Sequence, residues 1–281
     1  YPLPVIVVSA AGSAVFDALS AGAVDFIAKP EARTGGAGER FIEELIEKIR
    51  IASKAKILRP GSGAPLPGSG RARAEAGAAA LPPADGGIRA SNKPLLIAVG
   101  ASTGGTEAIA ALLRSLRPEV PGIVAVQHFP PNFSRLYAER LNQTVAFRVK
   151  EAETGDPVES GTVLIAPGDR HMRVKRSGNG FVVECFDGDK VNRHRPSIDV
   201  LFESVAKEAG SRSIGILLTG MGYDGARGLL AMRRKGARTI GQDEESSVVY
   251  GMPKAAYELG AGEKQCSLAA MPHVISRMLQ P

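Results

Sequence analysis

A serine, a histidine and an aspartate each stand just past a short aliphatic run in this chain of 281 residues. Residues 95–109 read Leu-Leu-Ile-Ala-Val-Gly-Ala-Ser-Thr-Gly-Gly-Thr-Glu-Ala-Ile, so Ser102 sits in a glycine-flanked turn between an apolar run and a helix-forming run. Such a turn presents a hydroxyl, and the free N–H groups of Thr103, Gly104 and Gly105 at the helix start can face an anion. The turn has neither the Walker lysine nor the full G-x-G-x-x-G spacing. On its own it leaves a nucleophile and a phosphate-cradling loop both open. A second run, Gly122-Ile-Val-Ala-Val-Gln-His128, ends in His128. A third begins at Ser213-Ile-Gly-Ile-Leu-Leu and passes into Thr-Gly-Met-Gly-Tyr-Asp-Gly225, which carries Asp224.

Together the three residue types support acyl transfer. A neutral serine needs a base within hydrogen-bond reach. Histidine titrates near neutrality and can take a proton and return it to a leaving alcohol. An aspartate fixes the imidazole tautomer and stabilises the imidazolium. Backbone N–H groups at Thr103 or in the Thr219–Gly222 loop are candidates for an oxyanion site, where one donor is worth on the order of 10²–10³ in rate. The chain order Ser, His, Asp matches neither α/β-hydrolases nor chymotrypsin nor subtilisin.

The elements that must position these residues follow from the same runs. They are short, aliphatic and not alternating, as parallel strands covered on both faces are, and helix-like segments follow them. The pattern predicts a mostly parallel, doubly wound α/β sheet with helices on both faces over residues 93–281. In such sheets ligands bind at the carboxyl ends of the strands, the edge at which all three residues fall.

Several longer motifs occur in order: Gly-Ala-Ser-Thr-Gly-Gly-Thr, Gln-His-Phe-Pro-Pro, Ile-Ala-Pro-Gly-Asp-Arg-His, His-Arg-Pro-Ser-Ile-Asp-Val-Leu-Phe, Leu-Thr-Gly-Met-Gly-Tyr-Asp-Gly-Ala and residues 243–253. Over residues 93–281 the chain resembles the chemotaxis protein-glutamate methylesterases of the CheB family. The resemblance implies Ser102 as nucleophile, His128 as base, Asp224 as orienting acid and the Met221 N–H in the oxyanion site. It implies hydrolysis of glutamyl γ-methyl esters on methyl-accepting chemotaxis receptors, with release of methanol, and deamidation of receptor glutamines. No cofactor or metal is expected. Receptor methylation sites lie on coiled-coil helices, and Pro130, Pro131, Phe133 and the His194 loop are expected to help position them. Two alternatives stand beside this reading: a methylesterase of a non-flagellar chemosensory pathway, and a noncatalytic anion-binding signalling module.

Of the other histidines, His171 follows a strand-like run and is a substitute base or cleft residue, and His194 lies in a polar loop expected to line the substrate cleft. His273 reads as structural. No two histidines share metal-ligand spacing, and the two cysteines, Cys185 and Cys266, are far apart, which suggests neither a metal site nor a disulfide framework.

Residues 1–57 carry a second pattern. Pro4–Ser9 and residues 22–28 read as strands, Val15–Ala21 as a short helix, and Phe41, Ile42, Leu45, Ile46 and Ile49 recur at helical spacing. This resembles the second half of a flavodoxin-like response-regulator receiver. The resemblance implies Ser9 as the phosphoryl-sensing hydroxyl and Lys29 as the contacting lysine, with a chemotaxis histidine kinase as partner of the intact receiver. The phosphoacceptor would lie upstream of Tyr1, and Asp25 is on the wrong strand to replace it. A half receiver leaves an open sheet edge and an uncovered apolar face, so this part is expected to pack poorly and to inhibit the site partly or not at all. Residues 58–92, rich in Gly, Ala, Pro, Ser and Arg, read as a mobile tether.

The charge of +6 and the pI near 9.4 raise nucleic acid as a partner. Spread-out basic residues, 5% aromatic content and the lack of a nucleic-acid motif argue against it. No apolar run approaches the roughly 18 residues of a membrane span and no secretory pattern occurs, so a cytoplasmic location is expected.

Overall fold

The computed structural model describes residues 3–10, 12–30, 37–57 and 95–280. The expected tether at 58–92 lies outside the described residues.

The N-terminal unit comprises β1 (Ile6–Ser9), α1 (Gly12–Ser20), β2 (Asp25–Ala28) and α2 (Ala37–Ala52). Strands β1 and β2 pair in parallel, Ile6 against Asp25 through Ser9 against Ala28. The Lys29 N–H donates to Ser9 O at 3.1 Å, so the two residues expected to mark the receiver switch are neighbours at one sheet end.

The larger part runs β3 (Leu96–Ala101), α3 (Gly105–Ser115), β4 (Gly122–Gln127), α4 (Phe133–Thr144), β5 (Arg148–Glu151), β6 (Thr162–Ile165), β7 (His171–Ser177), β8 (Gly180–Phe186), α5 (Ile198–Glu208), β9 (Ser213–Leu217), α6 (Ala226–Arg234), β10 (Arg238–Gln242), α7 (Met252–Glu258), β11 (Lys264–Cys266) and α8 (Met271–Leu279). Among the described residues, seven strands form a parallel sheet in the order β11-β10-β9-β3-β4-β6-β5. β7 and β8 form a separate antiparallel hairpin.

Burial explains why these runs become central strands. β3 is buried at every position. Alternate side chains face opposite sides: Ile97, Val99 and Ala101 join one core with residues of α3, α4 and α8, while Leu96 and Ala98 join the other with residues of α5, α6 and α7. Helix α5 buries Ile198, Leu201, Phe202, Val205 and Ala206, the i, i+3, i+4, i+7, i+8 stripe of a core-facing helix. The chain builds outward from β3 through β4 to β5 and β6, then returns to lay β9, β10 and β11 on the other side. The connections after β3 and β9 therefore diverge, and a crevice opens between them.

The N-terminal unit differs from expectation on one side and matches it on the other. Val15, Phe16, Leu19 and Phe26 are buried in the same core as α3 and α4. Phe26 stacks on Phe133 at 4.7 Å, and Phe16 packs on Phe129, Phe133 and Tyr137. The expectation of poor packing overlooked this cluster, because aromatic residues far apart in sequence give no local signal. Elsewhere on the unit Leu3, Val5, Val8, Ile42, Ile46 and Ile49 are exposed.

Candidate active site

The strand ladder places the three candidate residues at one edge. Ala101 pairs with Gln127 and Gly100 with Leu217. Beyond the strand ends the ladder continues: Ser102 N donates to Thr219 O at 3.0 Å, His128 N to Ala101 O at 3.3 Å and Leu218 N to Gly100 O at 2.8 Å. Ser102 and the Thr219–Asp224 loop are thus held on either side of the crevice, with His128 next to Ser102.

Two glycines are required here. Gly104, at φ 76°, turns the chain into α3, in the left-handed region that favours glycine. Gly220 lies so close to the nucleophile turn that a Cβ there would sit 2.7 Å from Ser102 Cβ.

His128 Nδ1 is 3.1 Å from Ser102 Oγ and His128 Nε2 is 2.9 Å from Asp224 Oδ2. The ring is turned over relative to the familiar Ser-His-Asp arrangement, in which Nε2 meets the serine. Functionally the two are equivalent, because each nitrogen still has its own partner. With Nε2 protonated and donating to Asp224, Nδ1 is free to accept the Ser102 proton.

Asp224 is 2% exposed. Besides His128 it accepts from Asn192 Nδ2 (2.7 Å), Ser197 Oγ (2.8 Å), Ile198 N (2.7 Å) and Asp199 N (3.3 Å). Burial alone raises a carboxylate pKa, but here hydrogen bonds from His128, Asn192 and Ile198, with the His128 charge, hold it well below the usual range. The last two backbone donors open α5, whose positive end favours an anion. Asp224 is therefore ionised whenever His128 works.

Backbone donors flank the serine. Among the described residues the N–H groups of Thr103 and Met221 have no hydrogen-bond partner, as an oxyanion site requires. Thr103 is locked on both sides: its Oγ1 donates to Asp25 Oδ2 at 2.8 Å, and its carbonyl lies 3.0 Å from Thr219 Oγ1. Asp25 in turn pairs with Lys48 of α2 at 3.0 Å. The N-terminal unit therefore touches the residue next to Ser102.

Two expectations change. His171 does not line the cleft and has no nitrogen free to act as a base. It is 2% exposed, its Nε2 donates to Asp189 O at 2.8 Å and its Nδ1 accepts from Ser197 N at 3.2 Å. Phe133, expected to help position a partner, is 7% exposed within the aromatic cluster. His194, expected at the cleft, lies against His128, with ring centroids 3.7 Å apart and planes 12° from parallel. Asn192, Ser197 and Gln127, whose Nε2 donates to Ser102 O at 3.0 Å, were missed. Gln127 and Ser197 stand inside motifs read from the sequence, but which groups they and Asn192 meet depends on the fold. Among the described residues no group of three or more His, Cys, Asp or Glu is gathered to hold a metal ion.

Comparison with known proteins bears on this geometry. A family model described as CheB methylesterase matches residues 97–275. A protein-glutamate methylesterase/protein-glutamine glutaminase of Syntrophomonas wolfei is 50% identical over 279 residues, covering 99% of this chain and 77% of the relative. One from Anaeromyxobacter dehalogenans is 49% identical over 281 residues, covering 99% of this chain and 74% of its own. The crystal structure of the Thermotoga maritima CheB methylesterase catalytic domain superposes with a TM-score of 0.63 at 34% identity, covering 66% of this chain and 97% of that one.

Proposed function

Because the chain belongs to the CheB methylesterase family, we propose that Ser102, His128 and Asp224 carry its protein-glutamate methylesterase and protein-glutamine glutaminase activity. The observation that supports this most directly is the continuous hydrogen-bonded line from Ser102 Oγ through both His128 nitrogens to Asp224.

Ser102 Oγ attacks the γ-carbonyl carbon of a methylated glutamyl side chain as its proton passes to His128 Nδ1. The tetrahedral oxyanion takes hydrogen bonds from the Thr103 and Met221 N–H groups. Asp224, anchored by its other donors, stabilises the imidazolium without accepting its proton. Collapse breaks the C–OCH₃ bond, and His128 returns the proton to the departing methoxide, releasing methanol. Water then attacks the acyl-enzyme, giving up a proton to His128, and Ser102 Oγ leaves and recovers it. The product is a free glutamate. With glutamine the same steps release ammonia first. No step requires a metal or cofactor.

Substrates of this chemistry are methyl-accepting chemoreceptors, whose signalling ends are cytoplasmic, so the same location is proposed here. Among the described residues no helix is long and apolar enough to cross a membrane. The N-terminal unit is read as the second half of a receiver with Ser9 and Lys29 at its switch end, and the kinase of the intact receiver is proposed as a second partner. Its hold on Thr103 leaves Ser102 and His128 part-exposed, which favours weak inhibition.

Methanol release from methylated receptor membranes tests the assignment. Ser102→Ala should lower it by on the order of 10⁶. Release that survives the substitution rules out Ser102 as nucleophile.

A further inference from the structure

The segment between β8 and α5 holds two members of the Ser-His-Asp line at once. Val191 and His194 exchange backbone hydrogen bonds in both directions, at 3.0 and 2.9 Å. The two residues between them, Asn192 (φ 52°) and Arg193 (φ 71°), are both left-handed, the conformation of a type I′ turn. Asn suits the first of these positions because its short amide tolerates positive φ. From this turn the Asn192 amide reaches Asp224 Oδ1 and Asp199 Oδ2, each at 2.7 Å, and the His194 ring lies flat on His128 at 3.7 Å. Just past the turn, Arg195 ties the segment down through Asp169 Oδ1 and Gly188 O.

We propose that His194 is a positioning residue for the reaction: its ring, stacked on His128, fixes the plane in which that imidazole holds Nδ1 to Ser102 and Nε2 to Asp224. It moves no proton and contacts no reacting atom. The inference rests on the Ser102–His128–Asp224 reading and adds what holds the middle member still. Hydrogen bonds at its two ends leave an imidazole free to roll about the axis joining them, and a flat partner removes that freedom.

His194 suits the task because it stays neutral. Burial first, and His128 second, push its pKa down to about 3. The charged groups that face it are His128, Asp224, Lys190 of its own segment and Lys48 of α2. A neutral ring does not oppose the charge that His128 gains in each turnover. The nearest alternative role, lining the cleft for substrate, predicts an effect on KM instead.

The test is steady-state methanol release from methylated receptor membranes by the full chain, with Ser102→Ala in parallel and thermal unfolding of every variant. His194→Ala should lower kcat about tenfold to hundredfold, the cost of a small misplacement of a reacting group, with KM within about twofold. His194→Gln, similar in bulk but without an aromatic face, should share the loss. His194→Phe, with a face but no nitrogens, should recover most of it. The proposal is overturned if His194→Ala keeps its kcat, if KM alone changes, or if His194→Phe is as slow as His194→Gln. Should His194→Ala fail to fold, the Phe and Gln variants decide alone. Activity that persists in Ser102→Ala would instead remove the underlying reading, and the parallel arm separates the two failures.

Discussion

Both the N-terminal unit and the sheet that carries the site are built from parallel βαβ steps, yet they are held in different ways. β3 is buried at all six of its positions, with helices on both faces. β1 is partly exposed throughout, and Leu3, Val5, Val8, Ile42, Ile46 and Ile49 of its unit are exposed. A strand clamped from two faces has little freedom to tilt, so the loops at its end inherit its position. A unit clamped mainly from one face rests on fewer contacts, here the cluster around Phe16 and Phe26 with polar ties such as Thr103 to Asp25 and Arg140 to Asp17. Precision is concentrated where the serine and aspartate are mounted.

The comparison is broken most severely at the site. Asp224→Asn should cost about 10⁴-fold in kcat, because the amide no longer favours the protonated Nε2 of His128, while the sheet keeps its fold. A loss below tenfold in purified enzyme would show that Asp224 is dispensable as an orienting acid. Next in size is the one-sided clamp. Phe26→Ala should remove about 3–5 kcal/mol from the docking of the N-terminal unit, and Ile46→Ser on its open face less than about 0.5 kcal/mol. Hydrogen exchange should find β2 amides deprotected in the first variant and β3 amides unchanged in both. Equal deprotection of β3 would mean that the two regions unfold as one.

A more gradual effect concerns acid. Burial first, and His128 second, push the His194 pKa down to about 3 in the folded chain, against about 6.5 unfolded. Between those values the unfolded chain binds the extra proton, so stability is full above about pH 6.5 and declines as pH falls toward about 3, by at most about 1.4 kcal/mol per pH unit. Urea midpoints from pH 7 to 4 should fall less steeply in His194→Phe than in the parent chain. Identical slopes would mean that His194 is not held neutral.

The sheet was legible because aliphatic runs ending in turns are a local signal. Ser102, His128 and Asp224 stood out because each follows such a run, though His128 was preferred to His171 only through the family motifs, and the structure brings these three together. Asn192 and Ser197 did not, since their role depends on the turn and the residue that precede α5 folding against Asp224. His171 misled for a related reason: a histidine after a strand-like run looks available, and only the fold reveals both nitrogens engaged. Asp25 was weighed as a phosphoacceptor and set aside, but its contact with Thr103 depends on a packing that no spacing encodes.

The return of the chain from β6 across the sheet to β9 has a consequence for how activity is acquired. Ser102 and His128 precede the β7–β8 hairpin and Asp224 follows it. A nascent chain that has emerged only as far as β8 holds the proposed nucleophile and base without the aspartate proposed to orient them, which arrives with the loop after β9. The exposed hairpin tip around Gly178 is a natural place to sever the molecule into two inert pieces. Ester hydrolysis would then report their reunion, as a split reporter does.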